Sequence, residues 1–339
     1  MVTLRQVAER AGVSIKTVSR IVNGDSAVNA KTRVAVQQHL ESLSYVPNQA
    51  ARMMRGGSSS VYGFMTDAVA TTPYSVDIVR GAQAALRENN QTLLIASTDG
   101  DEKLEREYWR MFRAHRVAGV IYASMYHRPH IVGQPDFNDS IVLANCFAVN
   151  GDKPSLIPDD EGGGYAQAEF LLKRGHRRIG LVTLNRSLEA TRLRGQGIRR
   201  AFQDAAVSFD ESLDQLGRQG PLSAERNIAF DAVVAMLQSA ARPSAIICGN
   251  DQLALQVYSA AAQLDLHIPR DLSVIGFDDQ RVISENLRPS LTTVALPYFE
   301  IGRLAVETMR DAKKHDGSWA PKILVPCPVA ERESCRAIS

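Results

Sequence analysis

The sequence predicts an α/β protein: a small all-α head followed by a two-lobed core of doubly wound parallel sheets. Residues 1–60 contain no strand-like segment, whereas from Val61 onward short apolar runs alternate with longer amphipathic stretches. Such strand, helix, strand repetition is satisfied by parallel sheets covered on both faces and joined by right-handed crossovers. The strand candidates are VYGFMTDA, QTLLIAST, VAGVIYAS, SIVLANCF, RIGLVTLN, SAIICGND, LSVIGFDD, LTTVAL and KILVPCPV. Between them Ser75–Asn89, Glu102–His115, Gly162–Arg174, Leu188–Ala206, Ser223–Ala240, Gln252–Asp265 and Tyr298–Lys313 read as helices. About 280 residues with this many strands exceed one open sheet, which favours two similar lobes with a cleft between them. Ligands of such sheets sit beyond the strands' carboxyl ends. A closed eight-fold barrel is the rival fold, but its regular strand-helix count does not finish cleanly here.

In the head, Thr3 and Gln6 form a capping box, and Leu4, Val7, Ala8 and Ala11 share one helical face. Gly12 permits a tight turn. Ser14 caps a second helix that places Val18, Ile21 and Val22 on one face and Ile15, Lys16, Ser19, Arg20 and Asn23 on the other. Asn29 caps a third, carrying Val36, Leu40 and Leu43. Two short helices around a four-residue turn, with a third behind, make a helix-turn-helix unit, although a three-helix cap with a solvated polar face fits the same pattern.

Composition narrows the classes. The chain is 45% hydrophobic and 22% charged, enough for sizeable cores. No apolar stretch approaches the roughly 20 residues of a membrane span, and the polar start lacks the core of an export signal. The four cysteines (Cys146, Cys248, Cys327, Cys335) are scattered, which suits a reducing cytoplasm and argues against a disulfide framework or zinc site. Residues 1–60 hold eight Lys/Arg against three acids, while the remainder holds 31 against 34. A basic head on a mildly acidic body suits contact with a polyanion, or else an acidic protein partner.

A helix-turn-helix sets its second helix in the major groove, where Ile15, Lys16 and Arg20 are placed to touch base edges. Arg20 can bond guanine O6 and N7 together, Lys16 is a point donor, and Ile15 suits a thymine methyl. Ser14, Thr17, Ser19, Asn23, Lys31 and Thr32 suit phosphates, which position the unit without specifying sequence.

The stretch VTLRQVAERAGVSIKTVSRIVNGDSAVNAKTR followed by YVPNQAARMMRGG resembles the DNA-binding head and hinge of the LacI/GalR family of bacterial transcription regulators. Similarity continues in order through PYSVDIVRGAQAAL, DDEGGGYAQAEFLLKRGHRRIGLV, RLRGQGIRRAF, AIICGNDQLALQ, LSVIGFDD and PSLTTVALPYFEIGRLA. The resemblance implies a homodimer reading a near-palindromic double-stranded operator, with a periplasmic-binding-protein-like core that senses a small molecule, most often in a repressor. It implies a head at 1–46, a hinge helix and linker at 47–60, and a core at 61–339. The first lobe would take 61–157 and 296–322, the second 158–295 and 323–335. In the hinge, Met54 matches the minor-groove wedge, with Ala51 beside it; a linker reading is also open.

The resemblance further assigns effector contacts to Arg194, Asn250 and Asp278, with Asn145 a fourth polar position. Tyr74 and Tyr298 would supply flat walls. Arg194 with Asp278 could equally be a plain interlobe ion pair. Leu188 and Ala190 stand where polar residues are common, Leu222 where an aromatic platform is frequent, and Leu296 where glutamine is frequent, so the pocket is less plainly built for a sugar.

Other features carry less. His127 and His130 in YHRPH read as surface loop histidines without a metal partner. Gly162–Gly164 reads as helix-to-strand packing, and Gly195–Gly197 lies inside a helix, unlike a dinucleotide fingerprint. No cofactor, metal or catalytic set is expected, so a sugar-processing enzyme is the weaker alternative. A solute-binding transport protein would share the core, but would need an export signal and have no use for a basic head.

Overall fold

The computed structural model describes residues 2–22, 25–45, 59–70, 76–130, 141–312 and 319–338. They fall into two compact units divided after Ser59. In the smaller, α1 (Leu4–Ala11), α2 (Ile15–Val22) and α3 (Ala30–Ser42) enclose Val7, Ala8, Val18, Ile21 and Val36. Local chemistry fixes the helix ends. The Thr3 amide donates to Gln6 Oε1 at 2.8 Å while the Gln6 amide donates to Thr3 Oγ1 at 3.3 Å. Gly12 then closes α1 at φ +63°, and Ser14 Oγ accepts from the Thr17 amide at 3.1 Å.

In the larger unit the first lobe is a parallel sheet of β1 (Val61–Thr66), β2 (Thr92–Ser97), β3 (Val120–His130), β4 (Ile141–Ala148), β5 (Ser155–Pro158) and β13 (Lys322–Val325), in the order β13-β5-β4-β3-β1-β2. It is covered by α4 (Asp77–Arg87), α5 (Glu102–Ala114) and α11 (Tyr298–Ala312). The second sheet, β14-β12-β11-β10-β6-β7, contains β6 (Ile179–Thr183), β7 (Asp214–Leu216), β10 (Ala245–Cys248), β11 (Ser273–Asp278), β12 (Thr292–Ala295) and β14 (Val329–Ala330). Only β14 runs antiparallel. Its helices are α6 (Asp160–Leu172), α7 (Glu189–Asp204), α8 (Ala229–Gln238), α9 (Asp251–Gln263) and the short α10 (Arg281–Ser284), with a small hairpin of β8 (Arg218–Gln219) and β9 (Arg226–Asn227).

The chain passes between lobes after β5, after β12 and after β13. This corrects two expectations. KILVPCPV is two strands in different sheets, because Pro326 and Pro328 deny two successive ladder donors. The first lobe therefore keeps residues through Val325, and a boundary after 322 would cut β13. The short strand β5, lying between Pro154 and Asp159, was not anticipated either.

Glycines set the closest helix contacts. A Cβ on Gly81 of α4 would stand 1.9 Å from the Phe299 carbonyl oxygen, and one on Gly302 of α11 1.9 Å from that of Ile78. The second lobe repeats the device: Gly164 of α6 meets the Arg194 backbone at 2.2 Å and Gly197 of α7 meets the Glu161 carbonyl at 1.9 Å. Gly163 packs on the Phe277 ring of β11, the helix-to-strand contact anticipated for this run, but Gly164 serves helix-to-helix packing.

Candidate functional site

In the head, the second helix turns Val18 and Ile21 inward and leaves Ile15 49% exposed beside exposed Lys16 and Arg20. An apolar side chain held out at the start of a helix is the arrangement a thymine methyl can meet. The Arg20 guanidinium lies 3.5 Å from Asp25, both partly exposed, so this ion pair holds the guanidinium only weakly. Ser14 and Lys31 are exposed, while Thr17, Ser19 and Thr32 are half-buried. Asn23, Ala51, Met54 and Tyr74 lie outside the described residues.

In the core, a cavity of about 200 Å³ opens between the lobes, beyond the strand ends. The first lobe contributes Met125, Tyr126 and His127 of β3, Asn145 of β4 and Tyr298 of α11; the second contributes Asp160, Arg194, Asn250, Asp278 and Gln280. Five anticipated residues thus meet: Asn145, Arg194, Asn250, Asp278 and Tyr298. Leu188, Ala190 and Leu296 also line the cavity. Leu222 does not: it sits 39% exposed on a 3-10 turn, and Glu225, three residues on, reaches the cavity instead.

Arg194 anchors the site. Its Nε donates to Asp160 Oδ1 at 2.8 Å, its Nη1 donates to the Gly249 carbonyl at 2.6 Å, and its guanidinium lies 3.5 Å from the centroid of the Phe277 ring. The close approach at Gly164 brings the α7 backbone onto α6 and so sets Arg194 beside the start of α6, where Asp160 stands. Asp278 is 3.7 Å from Arg194 Nη1. Both belong to the second lobe, so the pair does not bridge the cleft.

Burial opposes the charge on Asp160, but the Arg194 guanidinium and the His127 hydrogen bond outweigh it and hold its carboxyl below the usual range. Asp278 is pushed up to about 7, chiefly by burial, against the lowering effects of Arg194 and of Gln280, whose Nε2 donates to it at 3.1 Å. Burial, then the charge of Asp278, raises the Tyr298 phenol, which stays a neutral hydroxyl. Asn145 spends both amide hydrogens on the carbonyls of Ser124 and Met125, at 2.9 and 3.0 Å, and its side chain also bonds the Tyr298 phenol. Asn145 at φ +56° and Asp278 at φ +105° hold left-handed backbones, conformations that Asn and Asp adopt more readily than other side chains.

Sequence reasoning missed His127, Asp160, Glu225 and Gln280. His127 is not on a surface loop: β3 continues past a register shift between Ala123 and Arg128 and buries the ring, whose Nδ1 lies 2.8 Å from Asp160 Oδ2. His130 stacks on Tyr122 with centroids 3.8 Å apart. The acidic pair before the glycine run was the only sequence signal for Asp160.

Residues 3–48 match the family model described as bacterial regulatory proteins, lacI family, and residues 168–335 match the periplasmic binding protein-like domain. The sucrose operon repressor of Escherichia coli is 33% identical, over 98% of this chain and 99% of its own. The chain belongs to the LacI family of bacterial regulatory proteins. A crystal structure of a transcriptional regulator of the LacI family from Rhizobium etli is 41% identical, with a TM-score of 0.77 over 82% of this chain and 99% of that one. The lac repressor dimer bound to operator and the anti-inducer ONPF aligns over 99% of both chains at 26% identity and a TM-score of 0.76. Within this LacI-family chain, no helix among the described residues is long and apolar enough to cross a membrane.

Proposed function

We propose that the protein is an operator-binding transcriptional repressor, acting as a homodimer, whose affinity for DNA is set by an uncharged sugar in the interlobe cavity. The observation that carries this is the joint presence of a LacI-type head and a polar cavity lined by both lobes. Ile15, Lys16 and Arg20 read bases. Ser14, Thr17, Ser19, Lys31 and Thr32, with Asn23, hold phosphates, and Ala51 and Met54 act in the minor groove. The wall residues Asn145, Arg194, Asn250, Asp278 and Tyr298, with Tyr74, orient the sugar. A neutral, hydroxyl-rich ligand is favoured because the buried Arg194 guanidinium is already paired with Asp160, while amides, a phenol and the carboxyls of Asp278 and Glu225 remain to meet hydroxyls. The named relatives support the reading: one is a sucrose operon repressor, another a dimer on its operator. A sugar shifts operator affinity only by its differential affinity for the lobe arrangements.

The experiment is selection of bound duplexes from random DNA, followed by anisotropy across a salt series. Steep loss of affinity with salt is expected, followed by a change in operator retention when sugars are added. Failure to hold any duplex at about 50 mM salt defeats the DNA-binding reading.

A further inference from the structure

We propose that His127 is a specificity-determining residue of the cleft: it offers the effector a bare ring nitrogen that accepts a hydroxyl, and links that contact to a buried polar bridge from β3 to the start of α6. The inference rests on the reading of the cavity as a sugar site.

Three observations carry it. The His127 side chain is 3% exposed and Asp160 1%, and they belong to opposite lobes, His127 to β3 and Asp160 to the first turn of α6. Asp160 is held ionised by Arg194, so it accepts, and the proton of the shared hydrogen bond sits on His127 Nδ1. In a neutral imidazole this leaves Nε2 as an acceptor. Nε2 is buried and has no protein partner among the described residues, although His127 lines the cavity.

A buried acceptor without a partner is costly, and a ligand hydroxyl relieves that cost. His127 does not stand alone. Gln280 Oε1 and Glu225 Oε1, on the other wall, are likewise buried acceptors without a partner among the described residues. With Gln280 Nε2 donating to Asp278 at 3.1 Å, its Oε1 is the atom left unpaired. Acceptors facing one cavity from both lobes select a molecule rich in donors. A hydroxyl on Nε2 would also strengthen the Nδ1–H bond to Asp160, because donation and acceptance through one ring polarise each other. Effector binding is thereby felt at the junction of the lobes through the chain His127, Asp160, Arg194.

The test uses the full-length protein and a panel of D-ribose, D-glucose, D-fructose, sucrose and cellobiose, scored by thermal shift and then by calorimetry. His127→Asn keeps a donor toward Asp160 but withdraws the atom at Nε2; His127→Phe keeps a ring and removes both nitrogens. The sugar that binds wild type is expected to bind both variants about tenfold more weakly. A strut that served only to tie the lobes would leave His127→Asn with wild-type sugar affinity, and that result overturns the proposal while sparing the sugar site. If no member of the panel binds wild type, the sugar reading fails and this inference with it. Nitrogen-15 spectra of the wild-type imidazoles, with His127→Asn for assignment, give a readout independent of variant folding. Proton on Nδ1 with bare Nε2 is expected, and a protonated Nε2 overturns the proposal.

Discussion

Replacing Arg194 by methionine tests how the cleft tolerates a buried carboxylate. The Arg194 side chain is 8% exposed and its partner Asp160 1%, joined at 2.8 Å. Methionine fills similar space but leaves Asp160 with only the His127 hydrogen bond. Removing one partner of a buried pair costs about 3–5 kcal/mol, because the other charge remains uncompensated. That is a large share of the roughly 5–15 kcal/mol holding a native protein together, and corresponds to a melting temperature lower by the order of 10 °C. The pH dependence follows from linkage. In the wild type the Asp160 carboxyl lies below its ordinary value, so its stabilisation is present above the unfolded value near 3.8 and lost as pH falls through the folded one. Without Arg194, burial dominates and pushes the carboxyl up, so the variant's deficit should widen as pH rises from 5 to 8. Asp160→Asn added to Arg194→Met should recover a good part of the loss by removing the orphaned charge. Scanning calorimetry of the single and double variants at the two pH values decides it. A deficit equal at both pH values and untouched by the second substitution would refute the argument that the guanidinium offsets a buried charge.

Two further outcomes follow from local geometry. Gly164→Ala, whose new Cβ would stand 2.2 Å from the Arg194 backbone oxygen, should force α6 and α7 apart, cost about 1–3 kcal/mol and weaken sugar binding by displacing Arg194, read by melting and calorimetry; an unchanged variant would mean the close approach is not needed. Arg20→Ala should relax preference at one base pair of each half-site, by about 1–3 kcal/mol, measured on operators substituted one position at a time; unchanged preference would move the reading face elsewhere on the head.

The head was legible because its determinants are local. Thr3, Gln6, Gly12, Ser14 and Asn29 each bond or turn within a few residues of themselves, and the inward residues follow a helical period. The core's long apolar runs announced most strands for the same reason. Four-residue β5 did not stand out, and KILVPCPV read as one strand although it is two, since short segments between prolines show neither alternation nor length. Leu222 was misplaced because exposure on a 3-10 turn leaves no periodic trace.

The sequence by itself determined a basic helix-turn-helix with Ile15, Lys16 and Arg20 turned outward, an α/β core, and the residue types of a polar cavity. Only the tertiary structure decided which of them meet. Asp160 stands 33 residues from His127 and 34 from Arg194 along the chain, and the bonds among them exist because the chain's passage between lobes after β5 brings the first residue of α6 to His127 while bare glycines let α7 close onto α6. Whether a histidine is a solvated surface group or a buried acceptor depends on what encloses it, and the residues that enclose His127 come from both lobes.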